Sequence, residues 1–160
     1  MLHDYSQVDA AAVDAAVDEA IRAGDAILDE VCDPDTERTF DTTIAPLDRI
    51  GEIRARAYSE GPFMARVHPD EQVRQAASEA EGRLDQWYSS LGFRRDLYEA
   101  VEAYAATDEA ASLDGEQARL LAFVRRDLRR AGHELSPPDR AELEELTGRV
   151  IELGVRFAAN

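Results

Sequence analysis

Helical periodicity in residues 69–91 is the feature that most constrains the fold of this chain. Apolar and small side chains recur there at intervals of three and four residues: Val73, Ala76, Ala77, Ala80, Leu84, Trp87, Tyr88 and Leu91. This spacing places them on one face of an α-helix, and charged and amide side chains occupy the other face. The small residues allow a second helix to approach closely. We therefore expect this segment to be the central helix of a bundle.

Five other segments have the same periodicity: residues 9–31, 39–58, 94–107, 114–131 and 136–159. Asp9 or Ser6 is expected to cap the first of them, and Asp114 the fifth segment of the chain. Pro46 is expected to end or kink the second helix near Ala45, unless that helix starts just before the proline. Gly132 predicts a left-handed helix end, and Ser136, followed by two prolines, predicts the last helix start.

No segment alternates strictly between apolar and polar residues, so the predicted fold is all-α. We expect about six helices in an antiparallel bundle or in stacked helical hairpins, forming a single domain over residues 1–160, with residues 1–8 mobile. The predicted apolar stripes of the last two helices consist of the following residues: Leu120, Leu121, Phe123, Val124, Leu128, Leu143, Leu146, Val150, Leu153 and Phe157.

Composition limits the partners and the compartment. The 34 acidic residues outnumber the 18 basic ones, which gives a formal net charge of −16 and argues against nucleic-acid binding. No apolar run approaches the roughly 20 residues that span a bilayer, and the N-terminus lacks an export signal, so we expect a cytoplasmic protein that does not bind membranes. Cys32 is the single cysteine, so an internal disulfide is excluded, and its thiol is interpreted as incidental.

Known catalytic and metal-binding spacings are not matched. His133 and Glu134 begin like the zinc-protease motif H-E-x-x-H, but Pro137 takes the place of the second histidine. We interpret His133 as a polar loop residue, and His68 as a residue that packs or is solvated at the start of the central helix. No nucleophile elbow, phosphate loop or dinucleotide fingerprint occurs. The sequence therefore predicts no catalytic, cofactor-binding or metal-binding residue.

The acidic residues of the segment 33–44 also fail as a calcium loop. Asp33, Asp35 and Glu37 have suitable spacing, but Arg38 and Ile44 occupy the positions where an EF-hand needs glycine and glutamate. Calcium binding is thus not expected there.

Two further groups have a structural interpretation and a functional one. Arg125, Arg126, Arg129 and Arg130 are expected to form a solvated face near a helix C-terminus, and the alternative is a docking site for an acidic surface or a peptide carboxylate. Trp87, Tyr88 and Phe93 are expected in the core, and the alternative is a platform on which a ligand stacks.

Four pieces of the chain, in order, resemble the thimet oligopeptidase family of zinc metallopeptidases, which includes oligopeptidase A and the bacterial peptidyl-dipeptidases. Residues 39–48, TFDTTIAPLD, are similar to the opening pattern T-F-x-N-T-x-x-x-L, with Thr42 in place of the usual asparagine. Residues 68–98 resemble the long helix that ends in D-L-Y. Residues 113–135 resemble L-x-x-E-x-x-R followed by D-F-R-R-A-G, with Leu128 in place of phenylalanine. Residues 146–160 end in a segment similar to F-x-x-N.

The resemblance implies that the chain is the N-terminal helical lobe of a longer peptidase-like protein. Such a lobe forms one wall of a channel that admits short peptides. The family's zinc ion is bound by an H-E-x-x-H helix and a further glutamate, which lie far beyond residue 160. We therefore expect no zinc and no peptide hydrolysis from this chain alone, and we expect its partner to be a catalytic lobe of the same or a split protein.

Two other functions remain open. The chain is alternatively a freestanding interaction module whose apolar groove holds a partner helix, or, with less support, an enzyme in its own right. A lobe of a larger enzyme should expose apolar side chains, so we expect Phe157 and some of Phe40, Phe63 and Tyr104 at an uncovered surface. Self-association of the isolated lobe would follow.

Overall fold

A computed structural model describes residues 8–158, and these residues confirm the all-α class. The helices are α1 (Ala10–Cys32), α2 (Ala45–Glu60), α3 (Met64–Val67), α4 (Glu71–Leu91), α5 (Arg95–Ala105), α6 (Asp108–Ser112), α7 (Gly115–Leu128) and α8 (Pro137–Ala158). π-Helical turns at Phe40–Ile44 and Arg129–His133 precede α2 and follow α7. Residues 1–7, expected to be mobile, lie outside the described part, whereas Val8 is buried.

The predicted central helix is α4, which packs against α1, α2, α3 and α8. Its buried face consists of Val73, Ala77, Ala80, Leu84 and Leu91, as the periodicity predicts. Asp70 caps the helix, because its Oδ1 accepts a hydrogen bond of 2.8 Å from the backbone N–H of Gln72.

Two clusters of buried side chains form the core. The first, between α1, α2, α3 and α4, includes Val13, Val17 and Leu84, and the second, between α1, α2, α5 and α7, includes Leu28 and Tyr104. Each fully buried aliphatic side chain contributes roughly 1.5–3 kcal/mol. The half-buried indole of Trp87 packs against both clusters, and its Nε1 donates to Asp25 Oδ1 at 2.8 Å. Trp87 therefore connects the two halves of the core.

Local sequence signals account for most helix starts. Asp9 caps α1, since its Oδ1 accepts from the N–H of Ala12 at 2.8 Å. Asp114 takes the predicted N-cap position of α7 but makes no side-chain hydrogen bond there, and the following Gly115 has a φ of +53°. Asp114 therefore occupies the predicted N-cap position, but the predicted capping hydrogen bond is not formed.

The predicted helix at residues 39–58 is divided between Ile44 and Ala45, just before Pro46. Thr39 and Thr42 form reciprocal side-chain-to-backbone hydrogen bonds that start the π turn, and Pro46 lies in the first turn of α2, where no amide donor is needed. The short helices α3 and α6 lie in segments that the periodicity left as connections. They are too short for a three-to-four spacing to develop.

Gly132 ends the α7 segment as predicted, with a φ of +88°. A Cβ atom at Gly132 would lie 3.0 Å from both Leu135 Cδ1 and Leu143 Cδ2, so the start of α8 packs closely on this glycine. Glycine is therefore required here both for the backbone angle and for the close approach.

The predicted apolar stripe of α8 is mostly exposed, and this corrects the sequence interpretation. Leu146, Val150, Leu153 and Phe157 face away from the core, and α8 instead presents the half-buried Ile151 and Val155 toward α4. Since α8 is apolar on two sides, periodicity alone did not specify which side would be buried. Phe123 of α7, also expected inside, is 40% exposed.

Candidate interaction surfaces

An apolar groove of about 390 Å³ lies between α2, α4 and α7. Its lining includes Leu47, Ile50 and Gly51 from α2, Tyr88 and Leu91 from α4, and Leu120 and Val124 from α7. Five of the residues that line it also belong to the second core cluster, so the groove lies directly over that cluster: Leu28, Ile50, Leu91, Leu97 and Leu128. A groove of this size and composition is suited to apolar side chains of a peptide or a partner helix.

Gly51 keeps the α2 side of the groove open. A Cβ atom built at Gly51 would meet no other atom within 4 Å. Glycine in a helix interior costs roughly 1 kcal/mol relative to alanine, and no close contact among the described residues requires it at this position.

The edge of the groove combines carboxylates with an aromatic ring. Asp48 and Asp127 line it, and the exposed ring of Tyr88 lies 4.7 Å from the Arg54 guanidinium. Arg54 Nη2 in turn donates to Asp85 Oδ1 at 2.7 Å. Tyr88 was expected in the core; its exposure to this edge is closer to the alternative, a platform for stacking.

A second apolar surface lies on α8, and we call it the α8 seam: Leu146, Val150, Leu153 and Phe157. The exposed fractions of these side chains run from 49% for Leu146 to 84% for Phe157. The expectation of exposed aromatics therefore holds for Phe157 and for Phe63, which is 39% exposed. Of the other two aromatics named with Phe63, Tyr104 is fully buried and Phe40 is half-buried.

Two crevices of about 440 and 550 Å³ lie between α4 and the C-terminal half of α8. On the α8 side, Val155 borders both crevices and Ile151 borders the larger one. Ion pairs border them on the opposite side, Arg66 with Glu81 at 2.9 Å and Arg54 with Asp85.

The arginine cluster is mostly engaged in ion pairs on the surface, as expected for a solvated face. Arg125 binds Glu102 of α5 through two hydrogen bonds of 2.8 and 2.7 Å, and these bonds hold the pKa of the Glu102 carboxyl below its usual value. Arg126 donates to Asp127 at 2.8 Å and lies 4.7 Å from the exposed ring of Phe123.

His133 is not the polar loop residue that the sequence indicates, because it is only 5% exposed. Its Nε2 donates to the Gly92 carbonyl oxygen at 2.8 Å, and its ring stacks on Tyr98 with a centroid distance of 4.6 Å. His133 thereby attaches the π turn after α7 to the start of α5. The reversal at Gly132 directs the ring inward, a tertiary effect that the local sequence does not reveal.

Two further residues, His68 and Cys32, have side chains of a type that can bind a metal ion or act as a nucleophile. His68 is half-buried before α4, and its Nδ1 accepts from the N–H of Asp70 at 3.1 Å. Burial, with a further contribution from the Asp96 carboxylate, raises the pKa of the Cys32 thiol to about 11. Cys32 is therefore protonated near neutral pH, which fits an incidental thiol.

Metal and membrane sites were also sought in residues 8–158. These residues include no group of three or more histidine, cysteine, aspartate or glutamate side chains arranged to hold a metal ion. No helix among them has the length and apolar character needed to cross a bilayer.

Comparison with known proteins identifies peptidases as relatives, whereas no family model matches the chain. The chain is 26% identical over 130 residues to a thimet-like oligopeptidase of Dictyostelium discoideum, which covers 79% of this chain and 19% of that protein. A probable thimet oligopeptidase of Arabidopsis thaliana is 30% identical over 125 residues, 76% of this chain and 17% of the relative. A mitochondrial intermediate peptidase of Aspergillus fumigatus is 24% identical over 133 residues, covering 82% and 17%. The chain thus spans less than a fifth of the length of these relatives.

Proposed function

We propose that this chain, whose resemblance to the thimet oligopeptidase family is confirmed over about four fifths of its length, is the non-catalytic N-terminal helical lobe of a cytoplasmic zinc metallo-oligopeptidase. In this proposal it forms one wall of the channel that admits short peptides. The groove between α2, α4 and α7 is the observation that supports this role. The zinc ion and the groups that cleave the peptide bond belong to a part of the protein beyond these residues.

The groove acts by binding and orienting a peptide. Apolar side chains of the peptide enter between Ile50 and Val124, where they leave water, and each buried methylene contributes roughly 0.8 kcal/mol. Asp48 at the edge attracts a peptide amino terminus or a basic side chain. The net charge of −16 adds a general attraction for cationic peptides.

The second candidate is the freestanding interaction module, in which the same groove holds a partner helix. The exposed apolar surface on α8 favours it, because such surfaces mark protein contacts. The two functions differ in the conformation of the bound peptide, which is extended in a peptidase channel and helical in a helix-binding groove.

Filling the groove tests the proposal. We expect the 160-residue chain to bind fluorescein-labelled nonapeptides with leucine, phenylalanine and arginine side chains, and we expect Gly51→Trp to weaken that binding by about tenfold, because the indole occupies the groove. Fluorescence anisotropy measures the affinity. Gly82→Trp is the matched control: a Cβ atom at this position also meets no atom within 4 Å, but Gly82 lies on α4 and does not line the groove.

Proline placed at alternate positions of the peptide separates the two candidates, since it excludes a helix and permits an extended chain. Retained binding supports the channel wall, and binding only to helix-forming peptides supports the interaction module. Equal affinity for Gly51→Trp and the unaltered chain would exclude the groove from both. Tight one-to-one zinc binding by the chain, measured by calorimetry, would contradict a non-catalytic lobe.

A further inference from the structure

The groove between α2, α4 and α7 meets the larger of the two crevices at Tyr88 and Ser89, which line both. The larger crevice meets the smaller one in the same way, because Arg66, Glu81 and Val155 line both. The groove and the two crevices therefore adjoin one another along α4, and we call the three together the α4 trough.

Helix α4 is the floor of the α4 trough along its whole length. Six of its lining residues recur at intervals of three or four positions and so share one face of the helix: Glu71, Gln75, Ser78, Glu81, Asp85 and Tyr88. A helix of 21 residues is about 31 Å long, and an extended peptide advances about 3.3 Å per residue. The trough therefore has the length of about nine residues of an extended peptide.

The walls of the trough change from one end to the other. At the C-terminal end of α4 the walls are α2 and α7, and the lining is mostly apolar. Toward the N-terminal end of α4 the walls are α3 and the C-terminal half of α8, where ion-paired side chains lie beside Ile151 and Val155. An occupant thus meets apolar side chains at one end, and both charged and apolar side chains at the other.

The two ends of the trough also differ in charge. Among the described residues that line the groove, the charged ones are Asp48 and Asp127, and Asp127 already accepts a hydrogen bond from Arg126. The charged residues that line the crevices are three arginines and three carboxylates, whose formal charges cancel: Arg54, Arg66, Arg74, Glu71, Glu81 and Asp85. A peptide is therefore best matched when its positive amino terminus lies at the groove end.

We propose that the α4 trough binds one extended peptide of about nine residues, with its amino-terminal part in the groove and its carboxyl-terminal part between α3 and α8. The inference rests on the proposed function and extends its peptide site from α7 to α8. Gly154 is the position at which the crevice is most easily filled, because it lines the larger crevice and a Cβ atom there would meet no atom within 4 Å.

Peptide length tests the extent of the site. Unlabelled peptides of four, nine and thirteen residues with the same apolar amino-terminal sequence compete with the labelled nonapeptide, and fluorescence anisotropy measures their affinities. We expect the peptide of nine residues to bind at least about tenfold more tightly than that of four, because only the longer one reaches Ile151 and Val155. Thirteen residues should add less than about twofold, since the trough ends at Glu71.

Filling the larger crevice tests the path of the peptide. We expect Gly154→Trp to weaken the nine-residue peptide by about tenfold and to leave the four-residue peptide unchanged, whereas Gly51→Trp should weaken both. Gly148→Trp is the matched control on α8, because a Cβ atom there also meets no atom within 4 Å and Gly148 lines neither crevice. Circular dichroism of the three variants should match that of the unaltered chain.

Neutralising each terminus of the nine-residue peptide tests its orientation. Acetylation of the amino terminus should weaken binding about threefold, and Asp48→Asn should remove this difference, because the exposed carboxylate of Asp48 attracts the positive charge. Amidation of the carboxyl terminus should change the affinity by less than about twofold, since the charges that line the crevices cancel. A larger effect of amidation than of acetylation would contradict the orientation.

The outcomes separate this inference from the proposed function. Equal affinities for four and nine residues, or equal losses for Gly148→Trp and Gly154→Trp, would overturn the longer site and leave the groove in place. Binding of neither peptide would overturn the proposed function and the longer site with it. Binding of helix-forming peptides alone would assign the trough to a helix, such as one from the rest of a longer protein, and would also overturn the proposal.

Discussion

Gly24 of α1 provides the space that the indole of Trp87 occupies. A Cβ atom at Gly24 would lie 2.4 Å from both Cη2 and Cζ2 of Trp87, far inside van der Waals contact. The ring has little freedom to move, since it packs against both core clusters and donates to Asp25. The close approach of α1 and α4 therefore depends on the missing side chain.

We expect Gly24→Ala to lower the free energy of unfolding by about 1–3 kcal/mol, because overpacking outweighs the gain of up to about 1 kcal/mol in helix propensity. Urea unfolding followed by the fluorescence of Trp87, the single tryptophan, measures the change. Gly82→Ala is the control, since its Cβ meets nothing within 4 Å and the same substitution should there be stabilising. Equal effects of the two substitutions would contradict the close contact.

Sequence patterns predicted some individual residues and missed others. Asp9 and Gly132 took their predicted roles because capping and left-handed turns are set by neighbouring residues. His133 and Tyr88 did not, because burial of a single side chain depends on which distant element covers it. Nothing near Gly24 in the sequence indicates that a tryptophan 63 positions later would require it.

Among the elements, α5 and α7 are connected by the ion pair between Glu102 and Arg125. Both side chains are about 30% exposed, and two parallel hydrogen bonds fix the geometry. The pair therefore has better geometry and less solvent screening than the Arg95–Glu99 pair within α5, whose side chains are more than half exposed.

We expect Glu102→Gln to lower the free energy of unfolding by about 1 kcal/mol at neutral pH, and Glu99→Gln, the control, by no more than about 0.5 kcal/mol. Arg125 holds the pKa of Glu102 below its usual value, so this stability is present above the unfolded pKa of glutamate and is lost as the pH falls through the folded value. Urea unfolding at neutral and acidic pH should show the difference from the unaltered chain disappearing in acid. A difference that persists there would exclude the ion pair as its source.

The long helices were predictable and the short ones were not. Residues 69–91 gave α4 within two positions at its start, because about six turns of periodic spacing average out local exceptions. The helix α3 has four residues and α6 has five, which is too few for a period to be recognised. For α8 the apolar stripe was identified correctly, but it was predicted to face the core and it faces away from it. Both sides of this helix are apolar, so the periodicity fits either orientation.

Over the whole molecule, 16 acidic charges remain without a basic counterpart, and their mutual repulsion opposes the compact state. We expect added NaCl, up to about 0.5 M, to stabilise the fold by roughly 1 kcal/mol and to raise the thermal midpoint by about 2–4 °C. Differential scanning fluorimetry measures the midpoint, and KCl at equal ionic strength is the control for an ion-specific effect. A midpoint that falls with salt would mean that the surface ion pairs outweigh the repulsion.

The family could be inferred from four ordered motifs, whereas the groove could not be inferred at all. Its walls come from α2, α4 and α7, and Leu47 and Val124 are far apart in the sequence. Their proximity depends on how three helices cross, which no local pattern encodes. Likewise, nothing in the sequence indicates that Gly51 lies beside open space.

The start of α8 packs closely on Gly132, and crevices border the C-terminal half of the helix on its α4 side. The turn at Gly132 is therefore the fulcrum for any tilt of α8. A helix of 22 residues is about 33 Å long, so a tilt of about 10° at the fulcrum displaces its far end by about 6 Å. A small change in the turn at Gly132 is thereby magnified at Phe157.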